Sequence, residues 1–161
     1  MNIFECIENN NIQALKEIIA SGADVNTQNK YGNTALIIAC DHNNIEAIKL
    51  LIAAGADINI KNEYIETALH WACLHNNKEA IKLLIADGAD LNVQDGYGNT
   101  PLIRACNRGN YEAIKLLLAA GADVNIKSHY GSKYGRTALI WACDKGNYEA
   151  IKLLVDAGAY R

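Results

Sequence analysis

Apolar positions in this chain follow a helical beat that is broken at regular intervals. In EAIKLLIAAGADIN (residues 46–59) they recur three and four apart, as on one face of a helix, and glycine closes the run. A shorter apolar run precedes each of these and is introduced by threonine: TALIIAC from Thr34, TALHWAC from Thr67, TPLIRAC from Thr100 and TALIWAC from Thr137. A threonine hydroxyl can cap free backbone donors, and Pro101 stands in the first turn, where its missing N–H does no harm. The pattern predicts a first helix of about two to three turns and a second through EAIKLL. Glycine ends the second helix, and a polar segment turns back to the next threonine.

The two words keep time. The threonine words are 33, 33 and 37 residues apart, and GAD begins at Gly22, Gly55, Gly88 and Gly121, with GAY at Gly158. An opening copy is degenerate, with Asn11-Ile12 standing where Asn44-Ile45 stands later. Glu46/Lys49, Glu79/Lys82, Glu112/Lys115 and Glu149/Lys152 are each three apart, a spacing suited to a solvated helix face.

A unit of this length with this threonine word resembles the ankyrin repeat, over essentially the whole chain. Four copies match through both words and the first through its second helix and GAD turn. The resemblance implies an all-α repeat solenoid of stacked helix-turn-helix units joined by short β-hairpin-like turns. It implies one domain over residues 1–161, with approximate repeats at 1–29, 30–62, 63–95, 96–128 and 129–161, the last carrying a four-residue turn insertion. Only TALHWAC keeps the family histidine; Ile37, Ile103 and Ile140 replace it elsewhere. The resemblance also makes Asn26, Asn59, Asn92 and Asn125 candidates for asparagine hydroxylation.

TALHWAC places a hydroxyl, an imidazole and a thiol within two helical turns, which raises an active site built on His70 and Cys73. The repeats argue for packing instead. Cys40, Cys73, Cys106 and Cys143 share one column, and helices about 8–10 Å apart hold neighbouring members too far apart for a disulfide or a common zinc ion. Cys6 falls in the adjacent alanine column, and His42 and His75 are likewise one repeat apart. No phosphate-binding glycine loop, zinc-protease helix or nucleophile elbow occurs. The reading is therefore non-enzymatic, with no catalytic residue, metal or cofactor.

Composition narrows the setting. Half of the 161 residues are hydrophobic, yet no stretch reaches the ~18 uncharged apolar residues of a membrane span. MNIFECIENN has neither the basic start nor the apolar core of a secretory signal. Five cysteines without a C-x-x-C pair fit a reducing, cytoplasmic compartment. The net charge of −3 is unevenly spread: residues 1–94 carry twelve acids and six lysines, residues 95–161 six acids and nine bases.

Function is expected in the variable letters. The fifth position of the threonine word holds Ile38, Trp71, Arg104 and Trp141, and the pairs after each cysteine include His75, Arg108 and Lys145. The turn tips offer Lys30, Tyr31 and Asn33, then Glu63, Tyr64 and Glu66, then Gly96, Tyr97 and Asn99. Family resemblance places these on the concave side, and Trp, Tyr and Arg are the types enriched at interface hot spots. KSHYGSKYGRT (residues 127–137) adds an extended finger with Tyr130, Lys133, Tyr134 and Arg136. The partner-binding set is thus Trp71, His75, Tyr97, Arg104, Arg108, Tyr130, Lys133, Tyr134, Arg136, Trp141 and Lys145. The expected partner is another protein, with an acidic segment over the basic carboxyl-terminal repeats, bound by an adaptor-like module; no membrane partner is expected. Two alternatives stand beside it: a single-stranded nucleic acid or acidic ligand on the Arg/Trp/Tyr strip, and a structural piece of a longer array. Tryptophan here can also pack against its own turn, with Arg104 stacked between neighbouring rings. The last copy keeps the internal style of LIWAC and IKLLV, whereas Glu5 and Glu8 make the first copy more polar.

Overall fold

The computed structural model describes residues 1–129 and 135–160. Ten helices lie in this part, in five antiparallel pairs: α1 (Ile3–Glu8) with α2 (Ile12–Ala20), α3 (Ala35–Asp41) with α4 (Ile45–Ala53), α5 (Ala68–Leu74) with α6 (Lys78–Ala86), α7 (Pro101–Arg108) with α8 (Tyr111–Ala119), and α9 (Ala138–Asp144) with α10 (Tyr148–Asp156). First helices stack on first helices and second on second, which makes an all-α repeat solenoid.

The caps explain why the helices begin and end where they do. Thr34, Thr100 and Thr137 accept the N–H of Ile37, Ile103 and Ile140, three residues on. The degenerate first copy solves the same problem differently. Asn2 accepts from Phe4 and Glu5 N–H while the Glu5 carboxylate takes Asn2 N–H, a reciprocal cap without threonine. Each second helix stops before a glycine at positive φ, for example Gly55 at 86°.

One column of buried side chains runs through the stack. Cys40, Cys73 and Cys106 are fully buried, as are Ile48, Ile81 and Ile114 on the second helices. Their counterparts in the last described pair, Cys143 and Ile151, are half-buried. All five cysteines are free thiols.

Repeats are also stitched by asparagine. The Oδ1 atoms of Asn26, Asn59 and Asn92 accept the N–H of Asp57, Asp90 and Asp123 at 2.8, 2.8 and 2.9 Å, each in the following GAD turn. On the other side of the helix pairs, Asn44 Nδ2 donates to Asn10 Oδ1 and Asn77 Nδ2 to Asn43 Oδ1.

Lysine ion pairs run from one repeat to the next. Glu and Lys three apart on one helix do not pair; Lys16 meets Glu46, Lys49 meets Glu79 and Lys78 meets Glu112, at 3.4, 3.3 and 3.7 Å. Neighbouring second helices offer a straighter approach than a neighbour on the same helix, so the charges bridge repeats.

The polar turns form a row of fingers, each closed at its base by one backbone bond: Asn29 N–H to Asn33 O, Asn62 to Glu66, Asp95 to Asn99 and Ser128 to Arg136, all 3.0 Å. Successive fingers join through Glu63 N–H to Tyr31 O, Gly96 N–H to Tyr64 O and His129 N–H to Tyr97 O. Hairpin character is slight, with one isolated bridge, Gln28 to Thr34, among the described residues.

Candidate functional site

The fingers and the first helices α3, α5, α7 and α9 present the variable side chains. Trp71 is half-buried on α5 and stacks on His75, with ring centroids 6.2 Å apart and planes 23° from parallel. His75 Nε2 lies 3.0 Å from Asp41 Oδ1, a carboxylate of the preceding repeat. Trp71 is thereby held by its own turn.

Trp141 occupies the same position two repeats later. The Arg136 guanidinium sits over its ring at 4.7 Å and donates through Nη1 to Asp144 Oδ2 at 2.6 Å. Neither Trp71 nor Trp141 has an acceptor for its buried indole N–H.

Arg104 stands between them in sequence but not in environment. Its Nε and Nη2 donate to Asp95 Oδ2 at 2.9 and 2.7 Å, and Nη2 also donates to Glu66 Oε1. The stack of Arg104 between tryptophans, weighed from the sequence, gives way to two carboxylates, because a desolvated guanidinium is satisfied far better by anions than by ring faces. Glu66, read from the sequence as a tip residue, is buried for the same reason, and so is Asp95.

What remains open lies beside this cluster. Tyr97, Asn99, Asn107 and Trp141 line a cleft of about 300 Å³. A neighbouring depression of about 260 Å³ is lined by Leu74, Asn99, Arg104, Asn107 and Arg108. The two share Asn99 and Asn107, so the structure brings Tyr97, Arg104, Arg108 and Trp141 of the sequence-read set around one groove. Arg108 and Lys145 are exposed, and neither forms an ion pair among the described residues. Tyr130, Lys133 and Tyr134 of the long finger lie outside the described residues.

His70 and Cys73 are not poised for catalysis. The Asn99 carbonyl can only accept, so the 3.2 Å contact assigns the proton to His70 Nε2. Nδ1 then faces the N–H and hydroxyl of Thr67, at 3.1 and 3.0 Å. Nδ1 is spent on capping its own helix and Nε2 on holding the next repeat. Burial, aided by the Arg104 charge, lowers the imidazole to about 4, while burial pushes the Cys73 thiol well above its ordinary range. A neutral histidine facing away and a reluctant thiol do not make an ion pair. Among the described residues no three His, Cys, Asp or Glu side chains gather as a metal site.

The family model for ankyrin repeats, in three copies, matches residues 3–95 and 88–160. The chain belongs to the ankyrin-repeat family. A search of curated proteins returned no match. Ankyrin repeats are in general protein-interaction modules and not enzymes, and no helix among the described residues is long and apolar enough to cross a membrane.

Sequence reasoning missed part of this surface. Ile65, at 45% exposure, projects from the second finger beside Tyr64, at 59%. The signal was available: Ile65 stands where Gly32 and Gly98 stand in neighbouring fingers.

Proposed function

We propose that this ankyrin stack is a cytoplasmic, adaptor-like binding module for another protein, recognised along the side formed by the fingers and first helices. The observation that carries the reading is the groove lined by Tyr97, Asn99, Asn107 and Trp141, with Arg108 beside it and exposed Lys145 one helical turn after Trp141, neither of them in an ion pair among the described residues. Two aromatic walls offer apolar contact, the amides offer donors and acceptors, and the two cations favour a partner segment that carries acid side chains. Trp71 and His75 extend the same side toward the earlier repeats. Arg104 and Arg136 support the surface by fixing Asp95 and Trp141, since their own charges are already met. That neutralisation also weighs against nucleic acid, whose backbone needs several free cations in a row.

The test compares wild type with an Arg108→Glu/Lys145→Glu variant in a pull-down from reducing, nuclease-treated lysate, after circular dichroism has shown both folded. The expected result is a protein retained by wild type, reduced at least tenfold with the variant and binding directly when purified. Equal retention by both would remove the groove cations from the reading. Retention that disappears with nuclease treatment would replace the protein partner by nucleic acid.

A further inference from the structure

The second finger, Asn62–Glu66, breaks two rules of its row at once. Ile65 has φ of 61°, in the left-handed region, where a β-branched side chain is strained. The corresponding residues of the other fingers are Gly32, Gly98 and Gly135, at 74°, 78° and 72°. Glycine is needed there because the next finger abuts it: a Cβ on Gly32 would fall 2.8 Å from Glu63 N, and one on Gly98 would fall 2.6 Å from His129 N.

Ile65 is accompanied by a matching change. The residue that follows each finger base is Lys30, Glu63, Gly96 and His129 in turn, so the finger abutting Ile65 has glycine where the others carry side chains. The finger after that of Ile65 thus begins without a side chain, and Gly96 lies directly against the Tyr64 carbonyl. The tip is nevertheless firmly held, with Asn62 Oδ1 accepting both Tyr64 N–H and Glu66 N–H at 2.9 Å, and Tyr64 O accepting Gly96 N–H at 2.8 Å. What this arrangement displays is apolar surface in water. Tyr31, Tyr64 and Tyr97 are 48%, 59% and 55% exposed, one per finger, with Ile65 in the middle. Folding gains nothing from a strained, exposed isoleucine where glycine would be relaxed, so its use lies outside the fold.

We propose that the Tyr31, Tyr64–Ile65 and Tyr97 tips form a ridge that binds an extended segment of a partner protein carrying an apolar side chain at every third residue. This inference rests on the reading of the chain as a protein-binding module and names a second contact surface and its ligand. The register follows from two repeats: the ankyrin units advance by about 10 Å, and an extended polyproline-II segment has three residues per turn at about 3.1 Å each, so one residue in three faces a tip. Rigid tyrosines suit such contact because little side-chain freedom is lost on binding. A protein segment fits better than a bilayer, since exposed Glu63 adjoins the tip and residues 1–94 carry twelve acids against six lysines.

Two fluorescein-labelled dodecapeptides of identical composition serve as probes, each with four leucines in a Gly/Ser/Asn background, spaced three apart in one and two apart in the other. Fluorescence anisotropy is read for wild type, Ile65→Gly and Trp141→Ala. Expected are tighter binding of the third-position peptide by wild type and a loss of about tenfold in Ile65→Gly, larger than any loss in Trp141→Ala. Ile65→Gly should also melt higher, by about 2–4 °C, as the strain is released, so lost binding would not be lost folding. Equal binding of the two peptides, binding indifferent to Ile65→Gly, or no saturable binding would overturn the ridge. Binding that falls in Trp141→Ala but not in Ile65→Gly would overturn it while leaving the groove and the module reading in place. A preference for phosphatidylcholine/phosphatidylserine (4:1) vesicles over both peptides, lost in Ile65→Gly, would overturn it in favour of a membrane contact.

Discussion

Asp95 accepts Arg104 Nε and Nη2 on Oδ2, while its Oδ1 accepts the N–H groups of Tyr97 and Asn99 at 2.8 and 2.9 Å. One carboxylate therefore closes its own finger and anchors the guanidinium that also neutralises Glu66. Replacing Arg104 by tryptophan, the residue at Trp71 and Trp141, would leave two buried carboxylates without a counter-charge. Arg104→Trp should destabilise the fold by about 3–5 kcal/mol in guanidinium titration. Adding Glu66→Gln and Asp95→Asn should recover much of that loss, and failure to recover any would mean that Arg104 acts through packing alone.

The contrast between Arg104 and the helix words shows what a sequence can disclose. Thr34, Thr100 and Thr137 were legible as helix starts because a cap is a local device, set by residues three apart. Glu66 and Arg104 are 38 residues apart, and neither word states that they face each other. The clue was a shared departure: Glu66 stands where Asn33 and Asn99 stand, one repeat before the only arginine of its column. The lysine–glutamate bridges between repeats were hidden for a related reason, because spacing on one helix cannot report the approach of the next. Tyr97, Arg108 and Trp141 could be read as exposed variable letters, but their gathering around Asn99 and Asn107 depends on how two repeats meet.

His70 makes stability depend on pH. Its pKa lies near 4 in the fold and near 6.5 when exposed, so the unfolded chain binds the extra proton first. The contribution of neutral His70 is complete above about pH 6.5 and is lost as pH falls toward 4, the loss amounting to about 3 kcal/mol. Urea midpoints measured from pH 7.5 to 4.5 should fall more steeply for wild type than for His70→Ile, which puts at this position the residue found at Ile37, Ile103 and Ile140. Parallel curves would show that His70 carries no linkage.

The asparagine ladder and the surface ion pairs both bridge repeats, but they should not weigh alike. Asn59 Oδ1 takes Asp90 N–H at 2.8 Å and its Nδ2 reaches Gly88 O at 3.2 Å. Asn59→Ala should lose about 1 kcal/mol and raise hydrogen exchange at Asp90. Lys49 and Glu79 are about half exposed, and ordering two long side chains offsets a screened attraction. Lys49→Ala should leave the melting temperature nearly unchanged, in low salt as in high. A larger effect from Lys49→Ala than from Asn59→Ala would reverse the ranking argued from exposure.

Thiol chemistry tests the stack residue by residue. Burial raises the thiols of Cys6, Cys40, Cys73 and Cys106, the last to about 12, so at neutral pH they are protonated as well as enclosed. Cys143 holds the same column position but is half-buried. Titration of the native protein with an aromatic disulfide reagent should therefore release about one equivalent quickly, from Cys143, with the others following only as fast as repeats open. Cys143→Ser should remove the fast phase and leave the slow one. Fast reaction of several thiols would mean that neighbouring repeats separate readily, and slow reaction of all five would mean that the face bearing Cys143 is covered in solution.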